Sequence, residues 1–267
     1  MPLQTSGAIS LNDIHVEAGG TSGTNCSIND SDIRALSPAS GYTIPTGSGT
    51  TIDFGDFYGA SSSLTLVAHG YLSNGGGLAT SYSGSFSASC QVGDTVVMTY
   101  LTGYGSSGND TITINGGSVS AAISGQLWVS GFYSKHGIYY RTLTASASSV
   151  SLSVSCPGNA NRTGMWCYGF LLRPGASRED TANWYGNYTS RDLDTGEVGA
   201  FIVGLSYTSS SYSMPGWSGN DTDSTVTIDS TYHARIGWKR QTDTSATHSL
   251  STTTTGTRVI AASFTKT

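Results

Sequence analysis

The chain has 267 residues, a formal net charge of −5 and only 11% charged residues, against about a quarter in ordinary globular proteins. Its 12 lysines and arginines, of which only Lys135, Lys239 and Lys266 are lysines, are outnumbered by 17 aspartates and glutamates; no basic patch that would release counterions from phosphate is read, and a nucleic-acid ligand is not expected. Serine, threonine and 35 glycines replace the missing charge, yet 15 tyrosines and 5 tryptophans offer large burial per residue and the apolar residues alternate in short runs, which disordered tracts lack.

The first residues, Met1-Pro2-Leu3-Gln4-Thr5-Ser6, show no basic start followed by a long apolar stretch. Neither a signal peptide nor membrane insertion is expected, and the chain is expected to be made and folded in the cytoplasm. Cys26, Cys90, Cys156 and Cys167 form no CxxC pair and have no histidine at zinc spacing. They read as small buried apolar side chains, with a Cys156–Cys167 or Cys90–Cys167 bridge as the alternative.

Residues 1–60 carry one pattern three times: Ile9-Ser10-Leu11-Asn12-Asp13-Ile14, Ile28-Asn29-Asp30-Ser31-Asp32-Ile33 and Ile52-Asp53-Phe54-Gly55-Asp56-Phe57. In each, an apolar residue precedes a capping residue, an aspartate follows three positions later, and another apolar residue closes the set. Ser10, Asn29 and Asp53 suit an N-cap, and Asp13, Asp32 and Asp56 then fall at N3, where a carboxylate reaches back to the cap amide. Three short pinned helical turns are predicted. A segment of this length is expected to bury too little surface to stand alone, and so to pack on sister copies, on the next domain or on a partner.

This triple pattern, with its ending Phe57-Tyr58-Gly59-Ala60, resembles the N-terminal segment of many tailed-bacteriophage structural proteins, those of cyanobacterial phages above all. The resemblance covers about the first quarter of the chain. It implies a virion location and a docking role for Ile9, Leu11, Asp13, Ile14, Ile28, Asp32, Ile33, Ile52, Phe54, Asp56 and Phe57. It implies other virion proteins and the chain itself as partners, with a trimer suggested by virion fibres. A tail-fibre or appendage subunit is the expectation. A capsid decoration or neck protein, and a polysaccharide-degrading tail spike, are the rivals.

Beyond residue 60 the texture changes to strand-length runs: Leu64–Ala68, Thr95–Tyr100, Thr111–Ile114, Gln126–Ser130, Gly137–Arg141, the strictly alternating Val150–Val154, and Trp166–Leu172. Asn, Asp and Gly turns separate them at even intervals, the signature of a sandwich or jelly roll. Residues 176–267 repeat the plan. Val92–Val97 answers to Val198–Val203, Ile138–Thr142 to Ile236–Arg240, and Trp166–Leu172 to Arg258–Phe264. Internal duplication or a shared sandwich periodicity produces such a match. The expected fold is all-β: a docking segment over 1–60, then two tandem β-sandwich, jelly-roll-like domains over 61–175 and 176–267, joined near Arg173-Pro174-Gly175-Ala176.

Titratable groups do not converge in the sequence. His15, His69, His136, His233 and His248 are dispersed, and no nucleophile elbow is present, so no enzyme, cofactor or metal is expected. Asp192-Leu193-Asp194-Thr195-Gly196-Glu197 opens like a calcium loop without the rest of one, and Asp192 with Glu197 has the composition of a glycosidase pair. Aromatics amid serine and glycine are the better lead. Trp184, Tyr185, Tyr207, Tyr212 and Trp217 offer rigid contact area for a host glycan or a protein partner, or else plug domain ends and subunit seams.

Overall fold

Alternation of hydroxyl-bearing and apolar residues builds most of this chain. The computed structural model describes residues 3–34, 36, 38–39, 42–45, 49–60, 64–73, 80–102, 110–129, 132–155, 165–173, 175–185, 190–194, 200–209, 217–218, 222–227, 232–240, 247–252 and 258–266. It falls into two compact units, Met1–Ser63 with Lys266–Thr267, and Leu64–Thr265. The first holds two short helices, α1 (Leu11–Glu17) and α2 (Ser31–Arg34), and a 3-10 turn at Phe54–Phe57.

The second unit is β throughout its described residues. Its first strands are β1 (Thr65–Ser73), β2 (Ser81–Cys90), β3 (Thr95–Thr102), β4 (Thr111–Ile114), β5 (Gly117–Ser118), β6 (Ser120–Val129), β7 (Phe132–Thr142), β8 (Ala147–Ser155) and β9 (Met165–Arg173). There follow β10 (Ala176–Tyr185), β11 (Ser190–Asp194), β12 (Phe201–Ser209), β13 (Trp217–Ser218), β14 (Thr222–Thr227), β15 (Tyr232–Arg240), β16 (Thr247–Thr252) and β17 (Arg258–Lys266). They form sheets in the orders β1-β9-β3-β7-β6, β2-β8-β4-β5, β10-β17-β12-β15-β14 and β11-β16-β13. Every strand pair whose register is described is antiparallel. The β4–β5 turn is Asn115-Gly116, both at positive φ (46° and 70°), as a two-residue type I′ hairpin requires.

Each strand run expected from the sequence before residue 175 lies in or overlaps a strand. Strand β2 was not anticipated. Its odd positions are exposed serines, while Tyr82, Gly84, Phe86, Ala88 and Cys90 face inward. The period of two is perfect, but glycine and alanine on the inner face weaken the apolar signal. Central β3 is buried along its whole length because both faces are covered. Val97 and Leu101 join one core cluster, Val96, Met98 and Tyr100 the other.

The first cluster draws on both five-stranded sheets: Leu64, Val97, Ile138, Trp166, Tyr168, Phe170 and Leu172 from one, Phe201, Val203, Leu205, Ile236, Trp238, Ile260, Ala262 and Phe264 from the other. Phe170 lies 5.2 Å, ring centre to ring centre, from both Phe201 and Trp238. The second cluster fills the space between the first five-stranded sheet and β2, β4 and β8. There the Phe86 ring crosses two backbones that lack side chains. A Cβ at Gly70 or at Gly169 would meet it at 2.5 Å or 2.7 Å. Cys26 and Cys90 are free thiols, so the Cys90–Cys167 bridge does not form; Cys156 lies outside the described residues. Burial pushes the Cys90 thiol up, aided by Asp94 and opposed by Arg173.

The sheet orders of the two halves match strand for strand: β1-β9-β3-β7-β6 against β10-β17-β12-β15-β14. So do the registers. Val97 pairs with Phe170 and Tyr140, and Val203 pairs with Ala262 and Trp238. Those are the equivalences that the sequence alignment of the halves requires. The join near residue 175 is no exposed linker. Ala176 is buried, donates its amide to Thr95 Oγ1 at 2.8 Å and accepts from that hydroxyl at 3.1 Å.

Phe170→Ala is expected to cost about 3–5 kcal/mol, read as a lower urea midpoint. Gly169→Ala, which adds a methyl against Phe86, is expected to lower that midpoint as well. Cys90 is expected to react with a thiol reagent only after the β unit unfolds.

Candidate functional site

The three turns of the first unit are built by side chains closing on the backbone three residues away. In the first copy Ser10 Oγ accepts from Asp13 N at 3.1 Å and Asp13 Oδ2 accepts from Ser10 N at 2.9 Å, a full capping box. In the third, Asp53 Oδ1 accepts from Gly55 N at 2.7 Å and from Asp56 N at 3.3 Å, and Asp56 Oδ2 accepts from Asp53 N at 2.9 Å. Both match the sequence expectation. In the second copy the reach-back is made by Asp30, whose Oδ2 accepts from Ser27 N at 2.8 Å. Asp32 lies in the first turn of α2, and Asn29 Oδ1 accepts from Arg34 Nη2. The structural counterpart of Ser10-Leu11-Asn12-Asp13 is therefore Ser27-Ile28-Asn29-Asp30, two residues ahead of the register chosen from the apolar spacing.

Each copy contributes one fully buried side chain to a common core: Ile14, Ile33 and Phe57, packed with Leu3, Leu36, Ile44 and Ala60. The segment thus has a core of its own, drawn from all three copies. Three turns pool what one turn cannot, and Leu3 N to Ala60 O (2.8 Å), Gly59 N to Gln4 O (3.1 Å) and Tyr58 OH to Gly7 O (2.6 Å) close the ends of the unit on each other. His15 sits beneath Gly20, where a Cβ would strike the imidazole, and its Nε2 lies 2.9 Å from Thr24 Oγ1. Lys266, grouped with this unit, donates to Glu17.

The same packing sorts the residues to which a docking role was assigned. Ile14, Ile33 and Phe57 are internal. Ile9, Leu11, Ile28 and Ile52 are half-buried against the core, Asp56 is half-buried, and Asp13 and Asp32 are exposed. Phe54 is 43% exposed. Val16 at 45% and Tyr42 at 42% join it on the surface, and the sequence reading had passed over both. Beside α1 runs a cleft of about 490 Å³ with Leu3, Ile9 and Val16 as its apolar wall and Asn12, Asp13 and Ser22 among its polar lining. The Ser10 hydroxyl, then its amide, hold the Asp13 carboxyl below its usual value, so it stays ionised at the rim.

In the β unit the aromatic candidates fall on Trp184 and Tyr185 in β10, Tyr207 in β12 and Trp217 in β13. Their side chains, and all of Tyr212, lie outside the described residues. Asp192 and Asp194 are exposed on β11 with buried Leu193 between them, paired to Ser249 and Thr247. An extended strand cannot curl its carboxylates around an ion as a calcium loop does; Glu197 lies outside the described residues. Two assemblies went unnoticed in the sequence because sheet register creates them. Tyr168 OH lies 2.7 Å from His69 Nδ1 with the rings stacked. Asp110 takes bonds from Tyr100 and Lys135.

No protein-family model matches the chain, and neither curated proteins nor solved structures yield a match. Among the described residues, no helix is long and apolar enough to cross a membrane.

Asp53→Ala is expected to cost the unit about 1 kcal/mol, measured by chemical denaturation with the Tyr58 NMR signals as a local probe. The carboxyl of Asp13 is depressed in the folded state, so its contribution is full above its unfolded value of 3.8 and is lost as pH falls through the lower folded value. A carboxyl NMR titration of Ser10→Ala is expected to show Asp13 titrating at higher pH than in the unchanged chain.

Proposed function

We propose that the chain is a structural, non-enzymatic subunit of a bacteriophage particle, a tail-fibre or appendage component docked by residues 1–60. Two tandem jelly-roll-like sandwiches, 61–175 and 176–267, form its body. The strand orders support the jelly-roll reading: the runs β1-β9-β3-β7 and β2-β8-β4-β5 follow the order of that fold's two layers, and β10-β17-β12-β15 with the shorter β11-β16-β13 follow it in part in the second half.

One observation carries the docking role. Of the five large hydrophobic side chains exposed among the described residues, Val16, Tyr42, Phe54, Tyr71 and Val92, three belong to the first unit, which is about a quarter of the chain. That concentration of exposed apolar side chains on one small unit is what supports a partner surface there. The docking contacts are Phe54, Val16, Tyr42 and the half-buried Ile9, Leu11, Ile28 and Ile52, while Ile14, Ile33 and Phe57 hold the shape from inside. Partners are other virion proteins and further copies of the chain, with a trimer the arrangement suggested by fibres, and the body contacts the host surface.

Particles assembled with the Val16→Asp, Phe54→Asp double variant are expected to carry about tenfold fewer copies of the subunit, the effect of losing one good interface anchor. Tyr71→Asp, on the β unit, is expected to leave the copy number unchanged. Quantitative mass spectrometry of purified particles decides, and a normal copy number for the double variant removes the docking role.

A further inference from the structure

In the first half of the β unit, one end of the space between the facing sheets opens into a cleft of about 280 Å³, lined in part by Tyr100, Asp110, Ser124, Gly125, Lys135 and Tyr139. Its polar wall is held rigidly. Lys135 Nζ lies 3.1 Å from Asp110 Oδ1, and Tyr100 OH donates to Asp110 Oδ2 at 2.9 Å. Both charged side chains are buried, so the pair loses hydration. Its net charge is zero.

The floor is aromatic, and a glycine makes it so. A Cβ at Gly137 would run into the Tyr139 ring, so only glycine lets that ring lie across the strand. Burial, the larger influence, pushes the Tyr139 phenol up against the opposing effect of the exposed Ser124, which keeps it neutral. The cleft thus sets a flat apolar ring beside fixed hydroxyl, carboxylate and ammonium groups in a space of one sugar ring.

The fold does not need this cluster. By register, Tyr100 opposite Gly137 and Thr102 opposite Lys135 correspond to Ser206 opposite Arg235 and Thr208 opposite His233, and Tyr139 corresponds to Gly237. The second half builds the same strand order with none of the residues Tyr100, Lys135, Gly137 and Tyr139 kept. The core positions keep their apolar character: Val97 and Val203, Ile138 and Ile236, Tyr140 and Trp238.

We infer that this cleft binds an uncharged hexose unit of a surface polysaccharide, the C–H face of the sugar on Tyr139 and its hydroxyls on Ser124, Asp110 and Lys135. The inference names the ligand class for the host contact in the function proposed above. Saturation-transfer NMR of the full chain with methyl glycosides of glucose, galactose and mannose tests it. Saturable millimolar binding of at least one is expected, with the glucuronide and the glucosaminide weaker by about tenfold, since a pair already neutralised offers no opposite charge to offset the desolvation of theirs. Ser124→Ala changes an exposed hydroxyl and leaves the fold intact; Gly137→Ala displaces the ring. Each is expected to weaken binding by about tenfold, the scale of one or two hydrogen bonds, with an unchanged melting curve required of Ser124→Ala. No saturation by any hexose, equal binding of the charged sugars, or binding untouched by both variants overturns the inference. A failure here leaves particle incorporation through Val16 and Phe54 unaffected, so the two readings fall separately.

Discussion

The burial of two five-stranded sheets against each other, with Phe170 at the meeting of Phe201 and Trp238, is the constraint on which the β unit rests. A chain with few aliphatic residues and 11% charge cannot afford four separate small cores. It concentrates its aromatic side chains in one shared interior and leaves thinner clusters outside it, down to Leu193, Ile202, Val259 and Ala261 behind β11. Area buried per residue is greatest for aromatics, which explains how a serine-rich sequence still closes sheets. The same economy operates in the first unit, where one side chain from each of three turns fills a common centre.

Duplicated strand order gives the molecule a built-in comparison. Val97 and Val203, and Ile138 and Ile236, keep their apolar character in the shared interior, while Phe170 there answers to Ala262. The Asp94–Arg173 pair has no counterpart in the other half. Arg173 Nε and Nη2 donate to the two oxygens of Asp94 at 2.7 Å and 2.6 Å, and Nη2 also reaches Ser89 O. By register the second half has Ala200 and Thr265 at these places.

Much of the fold was legible in the sequence, and the reasons are local. Val150–Val154 alternates apolar and serine, Asn115-Gly116 dictates its turn, and Ser10 with Asp13 announces its own cap. The two halves could be laid against each other because strands of like length and apolar spacing recur in the same order. What stayed hidden was hidden by composition or by distance along the chain. Strand β2 places glycine and alanine where valine or isoleucine would have signalled it. The second cap was set two residues late because Ile28 and Ile33 fit the apolar spacing while Ser27 and Asp30 make the bonds. Asp110, Lys135 and Tyr100 meet only through register, and nothing in the local pattern of any one of them reports the others. The core of residues 1–60 was missed because it draws one side chain from each of three separated turns.

The position of the Asp94–Arg173 clamp has a mechanical consequence. Strands β1 and β9 are neighbours, and Thr65 faces Arg173 at the rung where the chain enters one and leaves the other. Tension applied at those two points peels antiparallel strands apart bond by bond, the direction in which a sheet is weakest. The rung that would open first is the one whose arginine is riveted, through two charge-assisted bonds, to the turn before β3. Load applied across those two points would meet its firmest resistance at the place where separation has to begin.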